Sequence, residues 1–147
     1  MTLAVRSYPM AINSVTITTE VIARMEDAAA GAKPEECCGL LAGADSVITN
    51  AYPLRNESLK PRTSYFASPE DLLAAMRRIR SSCQSMMGIY HSHPSTPAYP
   101  SVSDVEMAFY PDAIYFIISL MPKIDVRAFE IHNNTVIEVE IAVIAGA

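Results

Sequence analysis

The sequence has few cysteines, no long apolar run and no excess of positive charge, and each of these absences removes a class of protein. Its three cysteines are Cys37, Cys38 and Cys83. An odd number with two adjacent makes no disulfide framework, and the spacing is not the Cys-x-x-Cys of a structural zinc site. Reduced, partly buried thiols are the reading. No uninterrupted apolar stretch approaches the ~20 residues of a membrane span. The opening Met1-Thr-Leu-Ala-Val-Arg-Ser-Tyr-Pro-Met-Ala-Ile12 has neither a charged n-region nor a long apolar h-region, so no signal peptide is read and a cytoplasmic protein is expected. A net charge of −5 argues against nucleic acid as a partner, because phosphate binding calls for a basic face. There is no internal repeat and no low-complexity tract.

What is present is 147 residues, half of them hydrophobic and 18% charged, a globular composition with length for one domain and a real core. Residues 1–13 read as a flexible lead-in to a single domain over 14–147. Ser14-Val-Thr-Ile-Thr18 alternates and is β-branched, a strand pattern. A helix follows from Thr19, capped by Thr18 or Thr19 and ended by Gly31. Cys37 to Gly43 reads as a buried strand, Ala44-Asp45 as a turn and Ser46 to Tyr52 as an antiparallel partner. Pro53 to Arg62 is loop-like, and Ser64 to Ala67 is a short strand candidate. Ser68-Pro69-Glu70-Asp71 opens a second helix that ends with Arg77, Arg78 and Arg80. Met86 to Tyr90 is an apolar strand, a short helix follows Pro100, and Ala113 to Leu120 suits a central strand. Asp125 to His132 and Thr135 to Val143 form a hairpin turned at Asn133-Asn134. The sum is seven or eight strands and three helices, a mixed α/β layered domain.

The chemistry gathers where the Met86–Tyr90 strand ends, in His91-Ser92-His93-Pro94. On an extended strand alternate residues share a face, with Cα atoms ~6.6–7 Å apart, so His91 and His93 can point at one object while Ser92 points away. Asp104 follows eleven residues after His93, beyond a proline-punctuated loop. Two imidazoles, one carboxylate and room for water is the usual ligand set of a catalytic zinc ion. Ser101 and Asp104 also have the spacing of a helix capping box. Ser103 and Glu106 offer a second box; read as the pair that starts the helix, they leave Ser101 and Asp104 free for chemistry. A hydrolytic zinc site needs a carboxylate to move protons. Glu35 and Glu36 stand at the mouth of a buried strand, and the residues alone do not choose between them. His132, at the hairpin turn, reads as a surface residue.

Glu36-Cys-Cys-Gly39, then His91-Ser-His93, seven residues, Ser101, two residues and Asp104, resembles the JAMM (MPN-plus) metallopeptidases in residue type and spacing. The stretches Pro34-Glu-Glu-Cys-Cys-Gly-Leu-Leu-Ala-Gly43 and Pro111-Asp-Ala-Ile-Tyr-Phe-Ile-Ile-Ser-Leu120 resemble their compact bacterial members, and the likeness spans roughly residues 14–143. The resemblance implies an α/β fold with a curved mixed β-sheet flanked by helices, of cytidine-deaminase-like layout. It implies one zinc ion per chain held by His91, His93 and Asp104, with Glu36 as general base and Ser101 as hydrogen-bond donor to the oxyanion. It implies peptide or isopeptide bonds after the C-terminal tail of a ubiquitin-like sulfur-carrier protein as substrates, including carrier–cysteine adducts formed in cysteine biosynthesis and carrier–lysine conjugates. A homodimer is compatible with it. An extended tail can lie beside a sheet edge, flanked by Tyr65 and Phe66 or by Tyr99.

The rivals are a zinc deaminase, a cysteine hydrolase and a metal-free MPN scaffold that binds partners. The first needs a Pro-Cys-x-x-Cys pair and a His-x-Glu, both absent. The second would use Cys37 or Cys38, which fall in an apolar strand without a nearby histidine. The third has lost metal ligands, whereas here all are present.

Overall fold

The computed structural model describes residues 14–146, so the expected lead-in over 1–13 lies outside the described residues. In chain order the elements are β1 (Ser14–Thr18), α1 (Thr19–Ala32), β2 (Cys38–Ala44), β3 (Val47–Leu54), α2 (Pro69–Ser81), β4 (Ser85–His93), α3 (Val102–Glu106), β5 (Ile114–Ser119), β6 (Asp125–His132) and β7 (Thr135–Ile144). None of the described helices is long and apolar enough to cross a membrane.

Local chemistry explains most boundaries. The Thr18 side chain accepts the Val21 N–H and caps α1. That helix runs through Gly31, the expected stop, and ends at Ala32. Gly31 has no positive φ, so it forms no left-handed cap. The stop comes from Pro34, which disfavours helical geometry at the residue before it; Lys33 sits at φ −47°, ψ 134°. Ser68 caps α2 by accepting the Asp71 N–H, with Pro69 in the first turn. Two hairpins turn on left-handed pairs, Asp45-Ser46 (φ 54° and 65°) and Asn133-Asn134 (φ 48° and 67°), the geometry that matches strand twist. The first turn therefore lies one residue later than Ala44-Asp45. The candidate strand at Ser64–Ala67 is reduced to a single bridge between Ala67 and Asn56.

The sheet runs β1-β3-β2-β4-β5-β6-β7 and closes on itself, because the short β1 pairs in parallel with both β3 and β7. The expected curved mixed sheet is present, and its curvature goes all the way to a barrel. β4 lies between antiparallel β2 and parallel β5, with Cys38 opposite His91 and Ile117 opposite His91 on the other side. Alternation along β4 and β5 fills both faces. Ile89, Tyr115 and Ile117 pack with Cys38, Leu40 and the α2 residues Ala75 and Ile79. Tyr90, Phe116 and Ile118 pack with Leu41 and the α1 residues Val21, Met25 and Ala29. His91 and His93 share the parity of Ile89, so they emerge on the α2 side at the end of β4.

Gly39 lies directly opposite Tyr90 in the β2–β4 ladder, and a Cβ added there would sit 2.3–2.5 Å from the buried Tyr90 ring. Gly39→Ala should therefore cost ~1–3 kcal/mol, the usual range for overpacking a filled core. The check is a lowered urea midpoint with unchanged m. A midpoint equal to that of the unsubstituted protein would show that the ring can move aside.

Candidate metal centre and active site

The end of β4 presents two imidazoles to one point. His91 Nε2 and His93 Nε2 are 3.1 Å apart, and Asp104 Oδ2 lies 3.1 Å from the first and 3.0 Å from the second. Both histidines are buried. In the neutral His93 ring, Nδ1–H donates to the Pro97 carbonyl at 2.8 Å, which leaves the Nε2 lone pair for the centre. His91 lies flat against Tyr65, ring centroids 4.5 Å apart at 24°.

These three atoms fit a metal ion. A tetrahedral zinc with bonds of ~2.0–2.2 Å separates its ligands by ~3.3–3.6 Å, so the triad would open by only a few tenths of an ångström. Burial pushes the His91 pKa down, toward the neutral ring that a ligand must be. Burial works the other way on Asp104, but the close approach of the His91 and His93 rings outweighs it and holds the carboxylate well below its usual range. The donor set of two nitrogens and one carboxylate oxygen leaves a fourth position, the pattern of a catalytic rather than a structural zinc site.

Asp104 reaches this point from the first turn of α3. The sequence admits a helix capped by Ser103 with Glu106; instead Ser101 is the N-cap and Asp104 completes the box. The Ser101 Oγ accepts the Asp104 N–H at 3.0 Å, and Asp104 Oδ2 accepts the Ser101 N–H at 2.9 Å. Capping and convergence on the histidines thus use the same residues, because one carboxylate oxygen has lone pairs for both. The Ser101 hydroxyl spends an acceptor lone pair on the cap and keeps its own proton free to donate.

Of the two glutamates, Glu36 is buried and Glu35 is exposed. The Glu36 N–H donates to the Pro61 carbonyl at 2.7 Å, and its own carbonyl accepts from Asn56 Nδ2 at 3.0 Å. The next residue is stapled to β4: Cys37 N–H donates to Ser92 Oγ at 2.8 Å, and Ser92 N–H donates to the Cys37 carbonyl at 3.1 Å. Glu36 Oε1 is buried with no hydrogen-bond partner among the described residues. Burial, with a smaller push from the Asp104 charge and against the pull of His93, raises the Glu36 pKa to about 7.

Of the residues expected to flank a substrate, Tyr65 backs His91 and, with half-exposed Phe66, lines a cavity of about 230 Å³ beside it, walled also by Leu72, Met107, Phe109 and Tyr110. Tyr99 is half-exposed and sets its ring edge-on to Phe129 at 5.4 Å. Cys38 is buried on the cavity wall, and Cys37 and Cys83 are likewise free thiols. His132 pairs with Glu130 at 3.1 Å, away from the triad. Sequence reasoning missed Ser92 as a staple, Tyr65 as a support for His91, and Asn56 altogether. Only Ser92 carried a signal: a polar residue on the buried side of an apolar strand must find a partner.

A family model described as prokaryotic homologs of the JAB domain matches residues 18–132. The chain is 36% identical over 101 residues to a desampylase of Haloferax volcanii, covering 67% of this chain and 73% of that one. It is 32% identical over 115 residues to a CysO-cysteine peptidase of Mycobacterium tuberculosis, covering 76% and 78%. A solution structure of a Desulfitobacterium hafniense protein superposes with a TM-score of 0.80 at 35% identity, covering 90% of this chain and 94% of that one.

Proposed function

This chain belongs to the prokaryotic homologs of the JAB domain, and on that premise we propose that it is a zinc metallopeptidase that hydrolyses the peptide or isopeptide bond after the C-terminal tail of a ubiquitin-like sulfur-carrier protein. The observation that carries the reading is the convergence of His91 Nε2, His93 Nε2 and Asp104 Oδ2 within 3.0–3.1 Å of one another, close to a buried carboxyl with an unpartnered oxygen. The names of the two curated relatives, a desampylase and a CysO-cysteine peptidase, support the substrate class.

Zinc held by the triad would lower the pKa of a bound water toward ~7 and polarise the scissile carbonyl. Glu36 takes the proton of the attacking water and returns it to the leaving amine. A carboxyl poised near neutrality suits both halves of that task. The Ser101 hydroxyl donates to the oxygen that gains charge as the carbonyl becomes tetrahedral. Ser101→Ala should lower kcat by ~10²–10³-fold, the usual cost of one oxyanion donor. It also removes a cap worth ~0.5–2 kcal/mol, so kcat is read with folded fraction checked by urea titration. An unchanged kcat would remove Ser101 from the mechanism.

The closed barrel supports a tail bound not at the sheet itself but beside the Tyr65 segment. Phe66 spends its N–H on Asn56 Oδ1 and its carbonyl on the Glu57 N–H. The bonds from Glu57 N–H to the Phe66 carbonyl and from Ser68 N–H to the Arg55 carbonyl frame the Ala67–Asn56 bridge, so the N–H and carbonyl of Ala67 itself face the other way, toward an incoming strand. Elemental analysis of the purified protein tests the metal half of the proposal. One zinc ion per chain is the expected result, and none would return the chain to the metal-free scaffold reading.

A further inference from the structure

The residue with the most complete set of contacts around the site is Asn56, which lies in the loop after β3 and touches none of the metal-ligating atoms. Its side chain has two N–H donors and an acceptor oxygen with two lone pairs, and all four are used. Nδ2 donates to the Glu36 carbonyl at 3.0 Å and to the Ser64 carbonyl at 3.1 Å. Oδ1 accepts from the Ser58 N–H at 2.9 Å and from the Phe66 N–H at 3.0 Å. Every partner is a backbone group, so the hub does not depend on which side chains the loop carries.

Two of these bonds reach the two sides of the site. Through the Glu36 carbonyl, Asn56 holds the residue whose buried carboxyl has an unpartnered oxygen. Through Ser64 and Phe66 it brackets Tyr65, whose ring backs His91. The Glu36 N–H is itself bonded to Pro61, inside the loop that Asn56 folds back on itself. Glu36 is thus tied on one side to β4 through the Cys37–Ser92 staple and on the other to the Tyr65 segment through Asn56.

Resting on the proposed peptidase reading, we propose that Asn56 is a positioning residue for the reaction: it fixes the distance between Glu36 and the Tyr65–His91 pair. A side chain that orients the residues doing chemistry typically affects activity by ~10–100-fold without touching the substrate. Asn56→Asp is the informative variant. It keeps the acceptor for Ser58 and Phe66 and loses both donors, so the link to Glu36 breaks while half of the loop hub persists. Ser58→Ala is the control. It removes the 2.6 Å Ser58–Ser64 hydroxyl contact and the Lys60 N–H acceptor in the same loop without touching Glu36.

Two measurements on the full, zinc-loaded chain decide the matter. The first is amide hydrogen exchange, which needs no substrate. Asn56→Asp should speed exchange at the Glu36 and Cys37 amides and leave those of β4 residues 88–91 unchanged, whereas Ser58→Ala should leave Glu36 and Cys37 as they were. The second is steady-state hydrolysis of a carrier–cysteine conjugate. Asn56→Asp should lower kcat by ~10–100-fold with KM changed by less than ~3-fold, while Ser58→Ala keeps kcat. Unchanged exchange at Glu36 and Cys37, or a fall in kcat shared equally by the Ser58→Ala control, overturns the proposal. If the unsubstituted protein cleaves no conjugate, the peptidase reading fails, and the exchange result alone decides whether Asn56 holds Glu36.

Discussion

Glu36→Gln should abolish hydrolysis, a loss of roughly 10²–10⁴-fold, while zinc remains bound. The amide is nearly the size of the carboxyl and can neither take a proton from water nor return one to an amine. The backbone bonds that seat residue 36, to Pro61 and Asn56, do not involve its side chain and survive the change. Burial of the group removes a further complication. Replacing a carboxyl whose pKa burial has raised to about 7 by a neutral amide relieves a desolvation cost, so the variant should be no less stable. The discriminating readout is therefore a pair: turnover lost, zinc content and urea midpoint retained. Turnover close to that of the unsubstituted protein would remove Glu36 as the base and leave exposed Glu35 as the remaining candidate at the mouth of β2.

Asp104→Ala should remove both zinc and activity. Asp104 Oδ2 is one corner of the proposed metal triad and also accepts the Ser101 N–H, so its loss would strip a proposed ligand and half of the α3 cap. Two buried imidazoles would remain, too few for a zinc site of three protein ligands. Metal bound only by the folded state stabilises it by RT ln(1 + [L]/Kd), about 2.7 kcal/mol at a hundredfold excess over Kd. A chelator should accordingly lower the thermal midpoint of the unsubstituted protein and leave that of Asp104→Ala unmoved. Calorimetry with and without chelator checks this, and a chelator effect of equal size on both proteins would place the metal elsewhere.

How much of this was legible in the sequence depended on the range of the contact. His91, His93, Ser101 and Asp104 fall within one continuous stretch, so strand alternation and a single short loop already bring them together. Glu36 lies fifty-five residues before His91. Only pairing of β2 with β4, which sets Cys38 opposite His91, closes that gap. Spacing alone therefore left Glu35 and Glu36 level until family resemblance separated them. The Ser101 cap was misread because two overlapping boxes share one pattern, and only the three-dimensional demand on Asp104 selects between them. The barrel closure escaped notice because β1 is short and pairs with strands at opposite ends of the sheet order. Asn56 was invisible for a different reason. Its partners are all backbone groups, and backbone groups leave no trace in residue identity.

Intact-mass analysis of a carrier–cysteine and a carrier–lysine conjugate, incubated with the protein, tests the central claim most directly. Each reaction is run as purified, with a chelator, and with zinc restored after chelation. The account predicts release of the carrier at its C-terminal carboxylate, arrest by the chelator and recovery with zinc. Cleavage that continues in the chelator, or no cleavage of either conjugate by zinc-loaded protein, would contradict it.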